Sequence, residues 1–360
     1  MRKQIFKLLT ALSVGLSLTS TGCPVAEPAD GESLSALAQE KRAYEESDDC
    51  VGNKVKIAWL GPVSPQNNAF DGAELQGAKD NATRMKATVE PFISNFDAAL
   101  QLQQCNQIVQ SRSHDAIMII PIDSVGIVPC VTAAKKKGIP VVATEIAIGP
   151  DHTTSEPQVP GQAGAVLTPV SKFGSELTAT VISACAQTSP CNVVYLAGSF
   201  GVSIDAIAIN DLNAAIQTHP NIKLVAQREV FWDGGLAQTA MQQILAQTPN
   251  IHVVATSGDQ MTQGAEQAIT AAQIANKPKL IGAGVGGYAV NAIRAGRWFG
   301  SFVVLPYDEG WFGAHIAIRS ARGLKVKDRG IDPVAEKGLP AFMTTENQAQ
   351  FANFTPQWPG

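Results

Sequence analysis

Short runs of branched apolar residues recur along the chain, each followed by a longer stretch in which apolar positions return every three or four residues. The first run is Val55-Lys56-Ile57-Ala58-Trp59-Leu60, closed by Gly61-Pro62. The pattern predicts strands over 55–60, 87–90, 116–120 and 139–144, with helices over 69–85, 97–111 and after Asp123. A stretch bearing Pro and Gly, 149–161, interrupts it. The alternation restarts with strands over 192–198, 222–230, 251–255, 280–281 and 301–305, separated by helices over 202–218, 236–247, 262–275 and 288–295. Runs of Ile and Val with little polar alternation suit strands buried on both faces. The expected fold class is therefore α/β, with two doubly wound parallel-sheet lobes. Ligands of such sheets collect at the carboxyl ends of the strands, so two lobes facing each other there would share one cleft.

The N-terminal pattern is different. Arg2, Lys3 and Lys7 precede an uncharged, mostly apolar stretch over 8–18, an export signal too short to span a membrane. It ends in Ser20-Thr21-Gly22-Cys23, which resembles a bacterial lipoprotein signal, although Ser20 stands where Leu is usual. That resemblance implies lipidation of Cys23 in a signal over 1–23, and a membrane anchor; the other reading is an ordinary secretory signal. Residues 24–53, rich in Ala, Glu, Ser, Asp and Pro, read as a tether.

Export places the remaining cysteines where disulfides persist. Cys185 and Cys191 flank a short loop they could close, and Cys105 and Cys130 fall on successive predicted helices that would lie side by side. Free buried thiols are the alternative, and Cys50 is left over. No Cys or His pair has metal-ligand spacing, so no metal is expected. With 45% hydrophobic and 16% charged residues in 360, the chain has enough apolar material for two medium cores. A formal charge of −4 carries no nucleic-acid footprint, and Lys135-Lys136-Lys137 reads as a solvated helix end before Gly138.

In order and spacing, several motifs resemble the sugar-type (ribose- and galactose-binding) solute-binding proteins of ABC importers. They are Asn67-Asn68-Ala69-Phe70 after the first strand, Ile120-Pro121-Ile122-Asp123-Ser124, Gly138-Ile139-Pro140-Val141-Val142, Trp232-Asp233, Ser257-Gly258-Asp259-Gln260-Met261 and Phe342-Met343-Thr344-Thr345-Glu346-Asn347. The resemblance runs over 54–354 and implies a type I periplasmic-binding-protein fold with a three-segment hinge. The lobes would be 54–171 plus 306–332, and 172–305 plus 333–360. It implies a monomer that captures a small molecule by hinge closure and presents it to a permease and ATPase complex in the periplasm or at the outer cell surface, with no cofactor. A ligand-sensing domain partnering a membrane kinase or chemoreceptor would use the same lobes.

The resemblance places Asn68, Phe70, Asp71, Glu145, Trp232, Asp259 and Gly284 at the ligand, and Asp205 if the register is shifted slightly. Plainer roles compete: Asn68 as a turn residue, Phe70 as core, Asp123, Asp233 and Asp259 as helix caps. The departures also matter. Ile120, Ile146, Ala206, Gly258, Gly284 and Val304 stand where the sugar binders carry polar or charged groups, and Asp71 replaces an aromatic. A sugar hydroxyl buried without a partner costs about 1–3 kcal/mol. A less polar or amine-bearing ligand is therefore the expectation.

Catalytic readings are thin. Gly282-Ala283-Gly284-Val285-Gly286-Gly287 satisfies a dinucleotide fingerprint after a strand, with Asp308 some twenty residues on. It lies near the end of the second lobe, whereas that fingerprint normally opens its domain. Ser199 in Gly-Ser-Phe-Gly lacks the glycine spacing of a nucleophile elbow. No catalytic residue is expected.

Overall fold

The computed structural model describes residues 52–248 and 250–360; the signal, Cys23, Cys50 and nearly all of the tether lie outside them. The first lobe begins with β1 (Lys56–Gly61), α1 (Ala69–Arg84), β2 (Thr88–Ile93), α2 (Ala98–Ser111), β3 (Ala116–Ile119), α3 (Val128–Lys137), β4 (Val141–Thr144) and β5 (Gln162–Val166). There follow α4 (Val170–Cys185), β6 (Cys191–Ala197), α5 (Ser203–Thr218), β7 (Ile222–Glu229), α6 (Gly234–Gln247), β8 (Val253–Thr256), α7 (Asp259–Ala271), β9 (Lys279–Ala283), α8 (Gly287–Arg294) and β10 (Gly300–Phe302). The chain ends with α9 (Pro306–Ala321), β11 (Gly330–Ile331), α10 (Pro333–Glu336), β12 (Phe342–Thr344) and a 3-10 turn, Gln348–Phe351.

The strands form two six-stranded sheets, ordered β11-β5-β4-β3-β1-β2 and β12-β10-β9-β8-β6-β7. These are one topology used twice. The pairing is parallel throughout, except that β12 runs antiparallel to β10. β3, β4 and β8 are buried along their whole length, which unbroken apolar runs such as Val141-Val142-Ala143 require. The chain crosses between the sheets three times, over 167–169, 303–305 and 332–341.

Local signals set most helix starts and stops. Asn68 Oδ1 accepts from Phe70 N, Asp97 Oδ1 from Ala99 N and Leu100 N, and Asp233 Oδ1 from Leu236 N. Gly138, at φ 72°, ends α3 just after its three lysines. The periodicity misses β5, α4 and β11. The β5 sequence Gln-Ala-Gly-Ala-Val offers little branched apolar signal, and its Gly164 leaves room for Ile316 of α9 and the Arg329 carbonyl. The predicted strand over 301–305 is shorter, because Val303–Leu305 belong to a crossing segment. Asp259 opens α7 three residues earlier than the apolar pattern suggests.

Cys105 joins Cys130, tying α2 to α3 with Cα atoms 6.1 Å apart, and Cys185 joins Cys191 at 5.6 Å. The first closes the longer loop and so restricts the unfolded chain more.

Helix α9 returns from the second lobe and packs on α1. The contact depends on two glycines facing in opposite senses. A Cβ on Gly310 would overlap the Glu74 carbonyl oxygen, and one on Gly77 would overlap that of Tyr307. Asn81 Nδ2 donates to the Trp311 carbonyl beside them. The second lobe repeats the device, since a Cβ on Gly264 of α7 would overlap the Gly234 carbonyl of α6. Gly310→Ala should therefore destabilise the fold by about 1–3 kcal/mol or more, because backbone rather than a side-chain tip must move. Urea unfolding would measure it; an unchanged midpoint would contradict this account of the helix contact.

Candidate functional site

The carboxyl ends of both sheets face one cavity of about 60 Å³. From the first lobe come Pro62, Asn68, Phe70 and Asp71 after β1, Phe96 after β2, Ile120 to Ile122 after β3, and Glu145 and Ile146 after β4. From the second come Val202 and Ile204 after β6, Trp232 after β7, Ser257, Gly258 and Gln260 after β8, and Ala283 and Gly284 at β9. The crossing residue Val304 and the C-terminal Trp358 complete the wall.

Two tryptophans are fixed in it. The Trp232 ring lies flat on Gly198, where a Cβ would overlap it, and its Nε1 donates to the Ser257 carbonyl at 3.1 Å. Phe96 of the other lobe stacks on it at 5.3 Å between ring centroids, 16° from parallel. Trp358 covers Gly284, donates Nε1 to the Gly284 carbonyl at 3.0 Å, and meets Phe70 edge-on at 5.5 Å. The backbone is strained at the same place. Phe96, Glu145 and Trp232 have φ of 59°, 61° and 51°, and Phe231 and Val285 beside the cavity have 50° and 48°. Bulky and β-branched residues avoid this region, and such strain clusters where a site is held in a set shape.

Beneath the first-lobe wall lie four acids. Asp71 and Glu145 face the cavity, whereas Glu74 and Glu309 lie behind it, 0% and 1% exposed. Glu74 Oε1 accepts from Trp59 Nε1 at 2.9 Å and Thr144 Oγ1 at 2.7 Å. Burial pushes Glu74 up to about 7 in spite of those bonds. Burial, with the Glu74 charge, pushes Glu145 up to about 8. Asp71 is raised well above the usual carboxylate range by burial and by Glu145 and Glu74; Glu309 is raised by burial and by Glu74 and Glu145.

Of the residues expected at the ligand, Asn68, Phe70, Asp71, Glu145, Trp232 and Gly284 line the cavity. Asp205 and Asp259 do not. Asp205 turns into its own lobe, accepting from Tyr195 Oη at 2.6 Å and Ser199 N at 2.9 Å, and burial raises it to about 6. Asp259 likewise accepts from Gly286 N at 2.8 Å and Ser301 Oγ at 2.7 Å, with burial raising it to about 7. Both brace cleft loops from behind. Among the wall residues that sequence reading missed are Phe96, Val202, Ile204, Gln260 and Trp358. Asn95-Phe96-Asp97, a residue pair ahead of a cap, was the one usable signal.

The glycine fingerprint is occupied by the protein itself. Gly287 N donates to the Trp358 carbonyl at 2.9 Å and Tyr288 N to the Pro359 carbonyl at 2.8 Å. A Cβ at Gly286 would crowd Gly360. The helix N-terminus that a pyrophosphate would need is thus taken by the C-terminal tail, which overturns the dinucleotide reading. Asp308 pairs with Lys337 at 2.7 Å.

The raised acids carry a stability signature. Each holds its proton to higher pH when folded than the 3.8 or 4.5 of the free carboxyl. Between about pH 4.5 and 8 the folded chain therefore binds more protons than the unfolded one, and stability falls as pH rises through that window. The ligand-free Tm should drop steadily from pH 5 to pH 8, and Glu145→Gln should flatten the upper part of the slope. Calorimetry across that range checks it; a Tm that climbs towards pH 8 would refute the burial account.

Many solved structures share this fold. The chain is 25% identical over 261 residues to the D-allose-binding periplasmic protein of Escherichia coli, covering 72% of this chain and 83% of that one. It is 25% identical over 244 residues to the xylitol-binding protein of Mycolicibacterium smegmatis, covering 67% and 65%. Its fold matches the ABC transporter solute binding protein of Bacillus halodurans with bound myo-inositol at a TM-score of 0.69, with 19% identity over 84% of this chain and all of that one. Residues 61–325 match the periplasmic binding protein domain, and with the two-sheet fold and interlobe cavity this establishes that the chain belongs to that family of binding proteins.

Proposed function

We infer that this chain is the solute-binding component of an ABC importer, holding one small molecule between its lobes by hinge closure. The carrying observation is that one cavity draws its walls from the strand ends of both sheets. A ligand touching both walls favours the closed arrangement through its differential affinity for it, which is what a permease can read. The lobes are residues 54–171 with 306–332, and 172–305 with 333–360. Their hinge is the set of three crossings, of which two are strapped together by Thr168 Oγ1 donating to Asp332 Oδ1 at 2.7 Å and by Lys172 Nζ 3.7 Å from Asp332.

The names of the relatives span an aldose, a linear polyol and a cyclitol, which supports a small ligand of that size class, whether hydroxylated or amine-bearing. Asn68, Phe70, Asp71, Glu145, Trp232 and Gly284 are its contacts on this reading. The protein binds rather than turns over its ligand. Ser199 Oγ, for example, donates to Glu229 at 2.7 Å on the exposed rim instead of facing a base. Lipidated Cys23 would hold a monomer at the membrane, within reach of the permease and ATPase.

Mass spectrometry under native conditions would identify a small molecule retained by the purified protein. A thermal-shift panel of D-allose, xylitol, myo-inositol and their amino-substituted counterparts would complement it. At least one saturable stabilisation is expected; no retained mass and no shift at millimolar concentration would defeat the solute-capture reading. Trp232→Ala should weaken the best-binding compound at least tenfold, about 1.4 kcal/mol or more, because it removes part of the aromatic wall and the ring on which Phe96 packs. Calorimetric titration measures this, and unchanged affinity would remove Trp232 from the site.

A further inference from the structure

The unsatisfied polar atoms around the cavity share one chemical character. Asp71 is 3% exposed, yet its Oδ1 has no hydrogen-bond partner among the described residues and faces the cavity. Glu145 opens on the same space from the end of β4, held there by a left-handed backbone. Gln260 adds a buried Oε1 that is also without a partner. Once ionised, as beside a cation, both carboxyls are acceptors only, and so is the amide oxygen.

The donors on the wall are few: the side-chain amides of Asn68 and Gln260, the Ser257 hydroxyl and two indoles. Both indole N–H groups are bonded to backbone carbonyls, Trp232 to Ser257 and Trp358 to Gly284. Among the described residues no Lys, Arg or His lines the cavity. The rest of the wall is aromatic or aliphatic, and ring faces attract cations where water is excluded. A hydroxyl both donates and accepts, so a polyol would find few donors here beyond the Asn68 and Gln260 amides. An ammonium only donates, and it would offset the mutual repulsion of Asp71, Glu74 and Glu145.

We propose that the ligand of this cavity carries a protonated amine, bound by Asp71 and Glu145 and covered by the rings of Phe96, Trp232 and Trp358. The proposal rests on the solute-capture reading and narrows its ligand class from hydroxylated molecules in general to small cationic ones.

Matched pairs test it. Glycerol and 2-amino-1,3-propanediol differ only by hydroxyl against ammonium at the central carbon; D-glucitol and D-glucamine give a longer pair with the change at one end. Calorimetric titration of the full chain at pH 7 should find the amine of at least one pair bound tenfold or more tighter than its neutral partner. Asp71→Asn and Glu145→Gln should each lower the amine's affinity at least tenfold and shrink its preference over the neutral partner at least fivefold, with circular dichroism confirming that each variant is folded; an undiminished preference would overturn the pairing. The wild-type comparison stands even if a variant fails to fold. If D-allose, xylitol, myo-inositol or a neutral partner binds as tightly as the best amine, the cation inference falls and solute capture stands. If no amine and no neutral compound binds, both fall.

Discussion

The close contact between α1 and α9 is the constraint on which the rest depends. Two glycines let the helix backbones approach until the Gly310 and Glu74 turns touch, and no side chain fits between them. That contact brings the late segment α9 back to the first sheet and forces a second crossing between the lobes. It also sets Glu309 behind Glu74, so that the buried acids of two distant chain segments become one group. The electrostatics of the cavity wall thus follow from a backbone packing choice made outside it.

The cavity divides its work unequally. The first lobe supplies the charge, through Asp71 and Glu145 with Glu74 and Glu309 behind them. The second supplies mainly shape, through Trp232 seated on Gly198 and Trp358 seated on Gly284. Asp205 and Asp259, two buried acids of the second lobe, spend their hydrogen-bonding capacity on Tyr195, Ser199, Gly286 and Ser301. They stiffen the loops that carry the aromatic wall. The Phe96–Trp232 stack is a direct bond of the two halves across the opening.

Much of the architecture is legible in the sequence because a parallel sheet buried on both faces needs unbroken apolar strands, and Ile117–Ile119 or Val141–Ala143 can hardly be read otherwise. β5 is illegible for the opposite reason, as its burial is achieved with Ala and Gly against α9. The first-turn residues of α1 were readable through the Asn68 cap. Whether an acid at a strand end faces the ligand or its own lobe was not, since Asp71 and Asp259 both follow strands and both open helices. Only the identity of the nearest donors separates them: Gly286 N and Ser301 Oγ await Asp259, and nothing equivalent awaits Asp71 Oδ1. Trp358 is beyond any local signal, because its position depends on a tail folding over a glycine loop that is distant in sequence.

The path of α9 also bears on the order in which the molecule can form. Asn81 and Trp311, joined by a hydrogen bond, are 230 residues apart, and β11 pairs with β5 only after residue 331 is present. During synthesis, or during passage through a narrow channel with the N-terminus leading, the first lobe emerges early but lacks one helix and one edge strand. The second lobe's parallel core, by contrast, lies on a continuous stretch that ends at β10. Its edge strand β12 comes later still, so each lobe is completed by segments that follow β10, and such long-range closure is intrinsically slow. Until α9 arrives, the apolar face it covers and the edge of β5 stand open, which is the interval in which a nascent chain of this design most needs protection from its neighbours.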